Sequence, residues 1–139
     1  MEKTPLIFLN TSVIIKWFTN EENTDRSIEY RDRHIDREIE IIEPDLLLNE
    51  ISNALRYNPN FKEIDVMNAL ESIFDLGIEI ITPTRKLLYD TIEISYKYDI
   101  TGYDATYIAL SNELSGNFIT SDKKLFEKTK NMFSIEILW

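Results

Sequence analysis

Four side chains carry oxygen donors at places where an α/β chain assembles a site: Asn10, Glu50, Asp104 and Asp122. Asn10 directly follows the apolar run Leu6-Ile7-Phe8-Leu9, and Asp122 comes two residues after Thr120 in Phe118-Ile119-Thr120. Glu50 sits within Leu46-Leu47-Leu48-Asn49-Glu50-Ile51, whose apolar flanks draw it towards the core side. Asp104 lies near the start of the helical stretch Tyr103–Leu114. Acids that converge in one crevice would hold a hard divalent cation, because such ions prefer oxygen ligands. Spacing alone leaves a second account open, in which all four are caps and surface polar groups. Acidic residues complement the first turn of a helix, and α/β loops are rich in Asp and Asn.

Composition leaves few other chemistries. The chain has no cysteine, which excludes disulfides, thiolate nucleophiles and Cys-ligated zinc or iron–sulfur centres. Its single histidine, His34, argues against a multi-histidine metal site or a serine–histidine triad, and reads as a surface residue on a charged helix. Asp and Glu number 25 against 15 Lys and Arg, for a net charge of −10. Such a chain repels nucleic acid unless a bound cation inverts the local field. With 139 residues, 43% hydrophobic and 29% charged, it reads as one soluble domain over residues 1–139 with its own core. No stretch approaches the roughly 20 apolar residues that span a bilayer, so a cytoplasmic protein without a membrane partner is expected.

Short apolar runs alternate with helix-period stretches. Strands are expected at Leu6–Leu9, Ile39–Glu43, Ile78–Ile81, Phe118–Thr120 and Ile135–Leu138. Helices are expected from about Ser12 to Phe18, Thr24 to Glu38 (capped by Thr24 or Asp25), Pro44 to Tyr57 and Asp65 to Gly77. Further helices follow over Arg85–Tyr98, Tyr103–Leu114 and Lys123–Lys130. This alternation predicts an α/β fold, a three-layer sandwich with a mainly parallel five-stranded sheet. In such sheets ligands bind beyond the strand carboxyl ends, where the winding reverses. If the first and fourth strands are neighbours, Asn10 and Asp122 share that crevice.

The order of these segments resembles the PIN domains, the small nucleases that include the VapC-type toxins of toxin–antitoxin pairs. Their first motif is similar to Leu9-Asn10-Thr11-Ser12-Val13-Ile14-Ile15, and their helical glutamate matches Glu50 ahead of Ala54-Leu55. Their third motif resembles Tyr103-Asp104-Ala105-Thr106-Tyr107-Ile108-Ala109-Leu110, and their fourth resembles Ile119-Thr120-Ser121-Asp122-Lys123-Lys124-Leu125. The family's first aspartate is Asn10 here, so one metal-binding charge is missing.

The resemblance implies a Mg²⁺- or Mn²⁺-dependent ribonuclease that hydrolyses an RNA phosphodiester, with activity weakened or abolished by Asn10. It implies Asn10, Glu50, Asp104 and Asp122 as catalytic and metal-site residues, with Ser12 and Thr120 orienting waters or ligands behind them. An antitoxin partner and a homodimer are implied as well, and Tyr30, Ile35, Tyr57 and Phe61 are candidates for an apolar interface. Lys16, Lys123 and Lys124 lie near the crevice in sequence and are candidates for steering RNA. The rival account is a PIN fold without catalysis that binds an antitoxin or another protein. A phosphoryl-accepting receiver domain fits poorly, because no acidic pair follows the first strand.

Overall fold

The computed structural model describes residues 3–138. Strands β1 (Leu6–Leu9), β2 (Glu40–Pro44), β3 (Glu79–Ile81), β4 (Asn117–Thr120) and β5 (Ile135–Ile137) form one sheet in the order β3-β2-β1-β4-β5. Every adjacent pair is parallel. Parallel neighbours need crossovers, and these are supplied by α1 (Thr11–Ile14), α2 (Thr24–Ile35), α3 (Leu46–Arg56), α4 (Glu63–Asp75), α5 (Arg85–Tyr98), α6 (Gly102–Glu113) and α7 (Lys123–Thr129).

Alternation along the strands divides the core between two faces. Ile7, Leu9, Ile41 and Ile119 pack with Leu47, Ile51 and Leu55 of α3 and Ile73 of α4. Phe8 and Phe118 point the other way, onto Leu87 of α5, Tyr107, Ile108 and Leu110 of α6, and Leu125 of α7. Each fully buried side chain of this size contributes roughly 1.5–3 kcal/mol, so the sheet is held from both sides. The expected three-layer α/β architecture is therefore present. Gly116 admits the close approach of the α6–β4 turn to β1, since a Cβ there would lie 2.3 Å from the Phe8 ring. No helix among the described residues is long and apolar enough to cross a membrane.

Several local expectations change. The first helix is shorter than expected: α1 ends at Ile14, and a 3₁₀ turn covers Ile15–Trp17. Neither Thr24 nor Asp25 caps α2. Asn23 precedes it in the left-handed region (φ 65°), and the Thr24 hydroxyl instead serves the preceding turn, accepting the Glu21 N–H. α2 stops at Ile35 rather than Glu38 because Arg37 turns left-handed (φ 62°), and the Glu38 N–H bonds back to the Arg33 carbonyl. Pro44 ends β2, paired with Ile81, rather than opening the next helix. α4 begins at Glu63, two residues early, with the Asp65 carboxylate accepting the Lys62 N–H at 2.8 Å.

His34 is not a free surface residue. Its Nδ1 accepts the Ile41 N–H at 3.0 Å, so Nε2 carries the proton that it donates to the Leu76 carbonyl at 2.8 Å. The ring thus ties α2 to β2 and to the end of α4. The four interface candidates do not behave as one set either. Tyr30 and Phe61 pack against the core, whereas Ile35 and Tyr57 are exposed.

Candidate active site

From β1 the chain adds β2 and β3 on one side and later β4 and β5 on the other. The winding therefore reverses between β1 and β4, and a crevice opens beyond their carboxyl ends. Asn10 leaves β1 there. Its N–H donates to the Ile119 carbonyl at 2.9 Å, which fastens the exit of β1 to β4. Its side-chain Oδ1 accepts the Ser12 N–H at 2.9 Å and so caps α1. Asn10 is near enough to Asp104 for its side chain to favour the charged form of that acid. An aspartate at this position would keep the cap and present an acceptor where Asn10 presents a donor.

Glu50 reaches the crevice from α3. Its Oε1 lies 2.8 Å from the Thr11 hydroxyl and 2.7 Å from the Tyr107 hydroxyl, and those two hydroxyls are 2.9 Å apart. Tyr107 is fully buried and stacks on Phe118 with centroids 5.7 Å apart, so it is a rigid strut from the core to the carboxylate. Burial above all, with the charge of Glu50 beside it, pushes the phenol far above its ordinary range. It stays protonated and acts as a donor.

Asp104 lies in the first turn of α6, with its N–H on the Thr101 hydroxyl at 3.1 Å. Burial raises its pKa, and the charges of Asp122 and then Glu50 raise it further. Asp104 and Asp122, distant in sequence, line one cleft. Asp122 caps α7, its Oδ1 accepting the Leu125 N–H at 3.0 Å. Ser12 and Thr120 both shape the approach to it. The Ser12 Oγ accepts the Ser121 N–H at 3.2 Å, and the Thr120 Oγ1 accepts the Asp122 N–H at 3.1 Å.

Sequence reasoning missed one acid. Glu43, on β2, is fully buried, and its Oε1 accepts the Leu9 N–H at 2.7 Å. The carboxyl group takes the place of a strand partner where β1 and β2 part, one residue before Asn10. Its other oxygen, Oε2, has no partner among the described residues. Burial drives its pKa well above the ordinary value, and the charge of Glu50 adds to this. Ionising it would leave a buried charge, which costs several kcal/mol, so the neutral acid is favoured. The sequence signal was present: an acid inside Ile41-Ile42-Glu43-Pro44, in a strand covered on both faces. Tyr107 was legible in the same way, one turn from Asp104 on α6.

Among the described residues, no three His, Cys, Asp or Glu side chains lie close enough to ligate one ion directly. Glu50 and Asp122 each have one carboxylate oxygen engaged with protein and keep the other. Hard oxygen donors with spare lone pairs fit a cation that retains much of its water, as Mg²⁺ does. Lys16 does not serve the crevice. It is buried, with Nζ 3.7 Å from the Glu21 carboxylate. Lys124 lines a cleft of about 370 Å³ together with Asp104, Asp122 and Lys128, whereas Lys123 is absent from its walls.

The profile of the PIN domain matches residues 7–131, nearly the whole chain. The chain belongs to the PIN-domain family. This PIN domain is 25% identical over 126 residues to ribonuclease VapC3 of Pyrobaculum aerophilum, covering 88% of this chain and 93% of the relative. The DNA-bound VapBC of Salmonella typhimurium matches it with a TM-score of 0.74 at 14% identity, over 98% of this chain and 100% of that one. VapC20 of Mycobacterium tuberculosis, a sarcin–ricin-loop-cleaving toxin, matches with a TM-score of 0.70 at 13% identity, over 91% of this chain and 95% of that one. At those identities the two solved structures bear on the fold of this PIN domain alone.

Proposed function

We propose that this PIN domain is a divalent-metal-dependent endoribonuclease of the VapC kind. Asn10, Glu50, Asp104 and Asp122 form its site, and Asn10 is the weak point. The carrying observation is placement: at the switch point between β1 and β4, Asp104 and Asp122 line one cleft and Glu50 bonds Thr11, the neighbour of Asn10. Mg²⁺ or Mn²⁺, when bound, supplies a water of lowered pKa and positive charge for the phosphate. Tyr107 and Thr11 fix Glu50 by its Oε1 and leave the second oxygen for the ion or its water. Ser12, Ser121 and Thr120 hold the turn that delivers Asp122. Asn10 brings no charge to the site.

The test is cleavage of a panel of structured RNAs with Mg²⁺, Mn²⁺ or chelator. Asn10→Asp should restore or raise metal-dependent cleavage, and adding Asp104→Asn should abolish the gain. Cleavage that survives chelation rejects the metal mechanism. A second reading, an antitoxin-binding module without catalysis, is favoured by the missing carboxylate charge at Asn10. It prevails if Asn10→Asp neither cleaves RNA nor binds Mn²⁺ more tightly.

An antitoxin partner belongs to this proposal, supported by the VapBC assemblies among the fold's neighbours. So does a homodimer, supported by the exposed apolar stripe Leu88, Tyr89, Ile92 and Tyr96 along α5. A monomer mass by light scattering at micromolar concentration would remove the homodimer.

A further inference from the structure

We infer that Lys124 and Lys128 form a phosphate-binding flank that seats the RNA backbone beside the acidic cluster, on the α7 side. The inference rests on the ribonuclease reading and adds which edge of the site the substrate strand follows. One cleft, of about 370 Å³, is lined by Asp104 and Asp122 and also by Lys124 and Lys128. The two lysines are four residues apart on α7, so they share a helix face and stand about 6 Å apart along its axis. The Lys128 ammonium is held in place: Nζ donates to the Asp99 carbonyl at 2.6 Å and lies 3.8 Å from the exposed Asp99 carboxylate. That carboxylate is fully solvated and exchanges readily for a phosphate, because an exposed ion pair of this kind is worth little. Lys124 is exposed and makes no ion pair among the described residues.

The rest of the molecule sharpens the argument. A chain of net charge −10 repels a polyanion at long range, so the strand must meet its cations at short range. Lys16 is buried with its ammonium 3.7 Å from the Glu21 carboxylate, and Lys123 does not line the cleft. Lys124 and Lys128 are the lysines that border the acids, and ammonium groups on a phosphate chain position it without reading its sequence.

The test is fluorescence anisotropy with a fluorescein-labelled, cleavage-resistant phosphorothioate RNA in Mg²⁺, titrated over a salt series. Lys124→Gln and Lys128→Gln should each weaken binding for every RNA sequence tried. Each should also reduce the log–log salt slope by about 0.7, the value for one phosphate contact on a single strand. Lys123→Gln, which removes the same charge from the same helix, should match the parent, and Lys128→Arg should retain binding. The exposed positions leave folding intact, checked by an unchanged melting temperature. If the parent binds RNA and both cleft variants bind equally well, the flank is wrong while the ribonuclease reading stands. Equal loss in Lys123→Gln reduces the effect to general charge and overturns the inference. A parent that binds no RNA overturns the ribonuclease reading and the flank together.

Discussion

Replacing Glu43 by glutamine tests whether the buried acid behind the site is neutral. The folded protein holds the Glu43 proton more tightly than the unfolded chain does, because burial raises its pKa well above 4.5. Its contribution to stability is therefore complete below about pH 4.5 and is lost as pH rises towards the folded value. Over that window the parent loses up to about 1.4 kcal/mol per pH unit through this group alone. Glutamine keeps a carbonyl oxygen for the Leu9 N–H and has no proton to lose, so Glu43→Gln lacks this dependence. Asp104 shifts in the same direction, but it is present in both proteins and cancels from their difference. Urea unfolding of parent and variant from pH 4.5 to about pH 8 measures that difference. The two should be close at the acid end, and the variant should gain steadily on the parent as pH rises. Glu43→Leu supplies the contrast: it strands the buried Leu9 N–H and costs about 1–3 kcal/mol relative to Glu43→Gln, beyond any packing change and independent of pH. Parallel pH profiles for parent and Glu43→Gln would refute a neutral Glu43.

Three further outcomes follow from the geometry. Asn10→Asp adds a further negative charge beside Asp104, so in chelator it should melt below the parent; with Mn²⁺ at 100 times Kd it should gain about 2.7 kcal/mol, and equal Mn²⁺ shifts in the two proteins would show that position 10 does not meet the ion. Tyr107→Phe preserves the stack on Phe118 but removes a donor to Glu50, with an expected loss of roughly 1.5–3 kcal/mol in urea unfolding and a wild-type midpoint counting against the strut. His34→Ala leaves the Ile41 N–H without its acceptor, and a cost of about 1–3 kcal/mol with faster exchange of that amide is expected, whereas unchanged exchange would contradict the bridge.

The layer architecture and the four motif positions were legible from the chain itself, because they depend on local order. Apolar runs of four or five residues alternating with helix-period stretches leave little but a parallel sheet covered on both faces. Asn10 directly follows β1 and Asp122 comes two residues after β4, so both positions at strand ends were legible for the same reason. Helix ends were less so: Arg37 adopts a left-handed conformation that its residue type does not announce.

Only tertiary structure decided which donors and acceptors meet. Glu43 looked like the polar end of a strand until β1 and β2 parted around it. His34 looked solvated until Ile41 and Leu76 closed on its two nitrogens. Tyr107 is buried in the core, and packing brings its hydroxyl to Glu50, 57 positions away. Hydrophobic periodicity reports which face of an element is buried. A buried polar group answers instead to the partner that satisfies it, and that partner is fixed by packing between elements rather than by any neighbour in sequence.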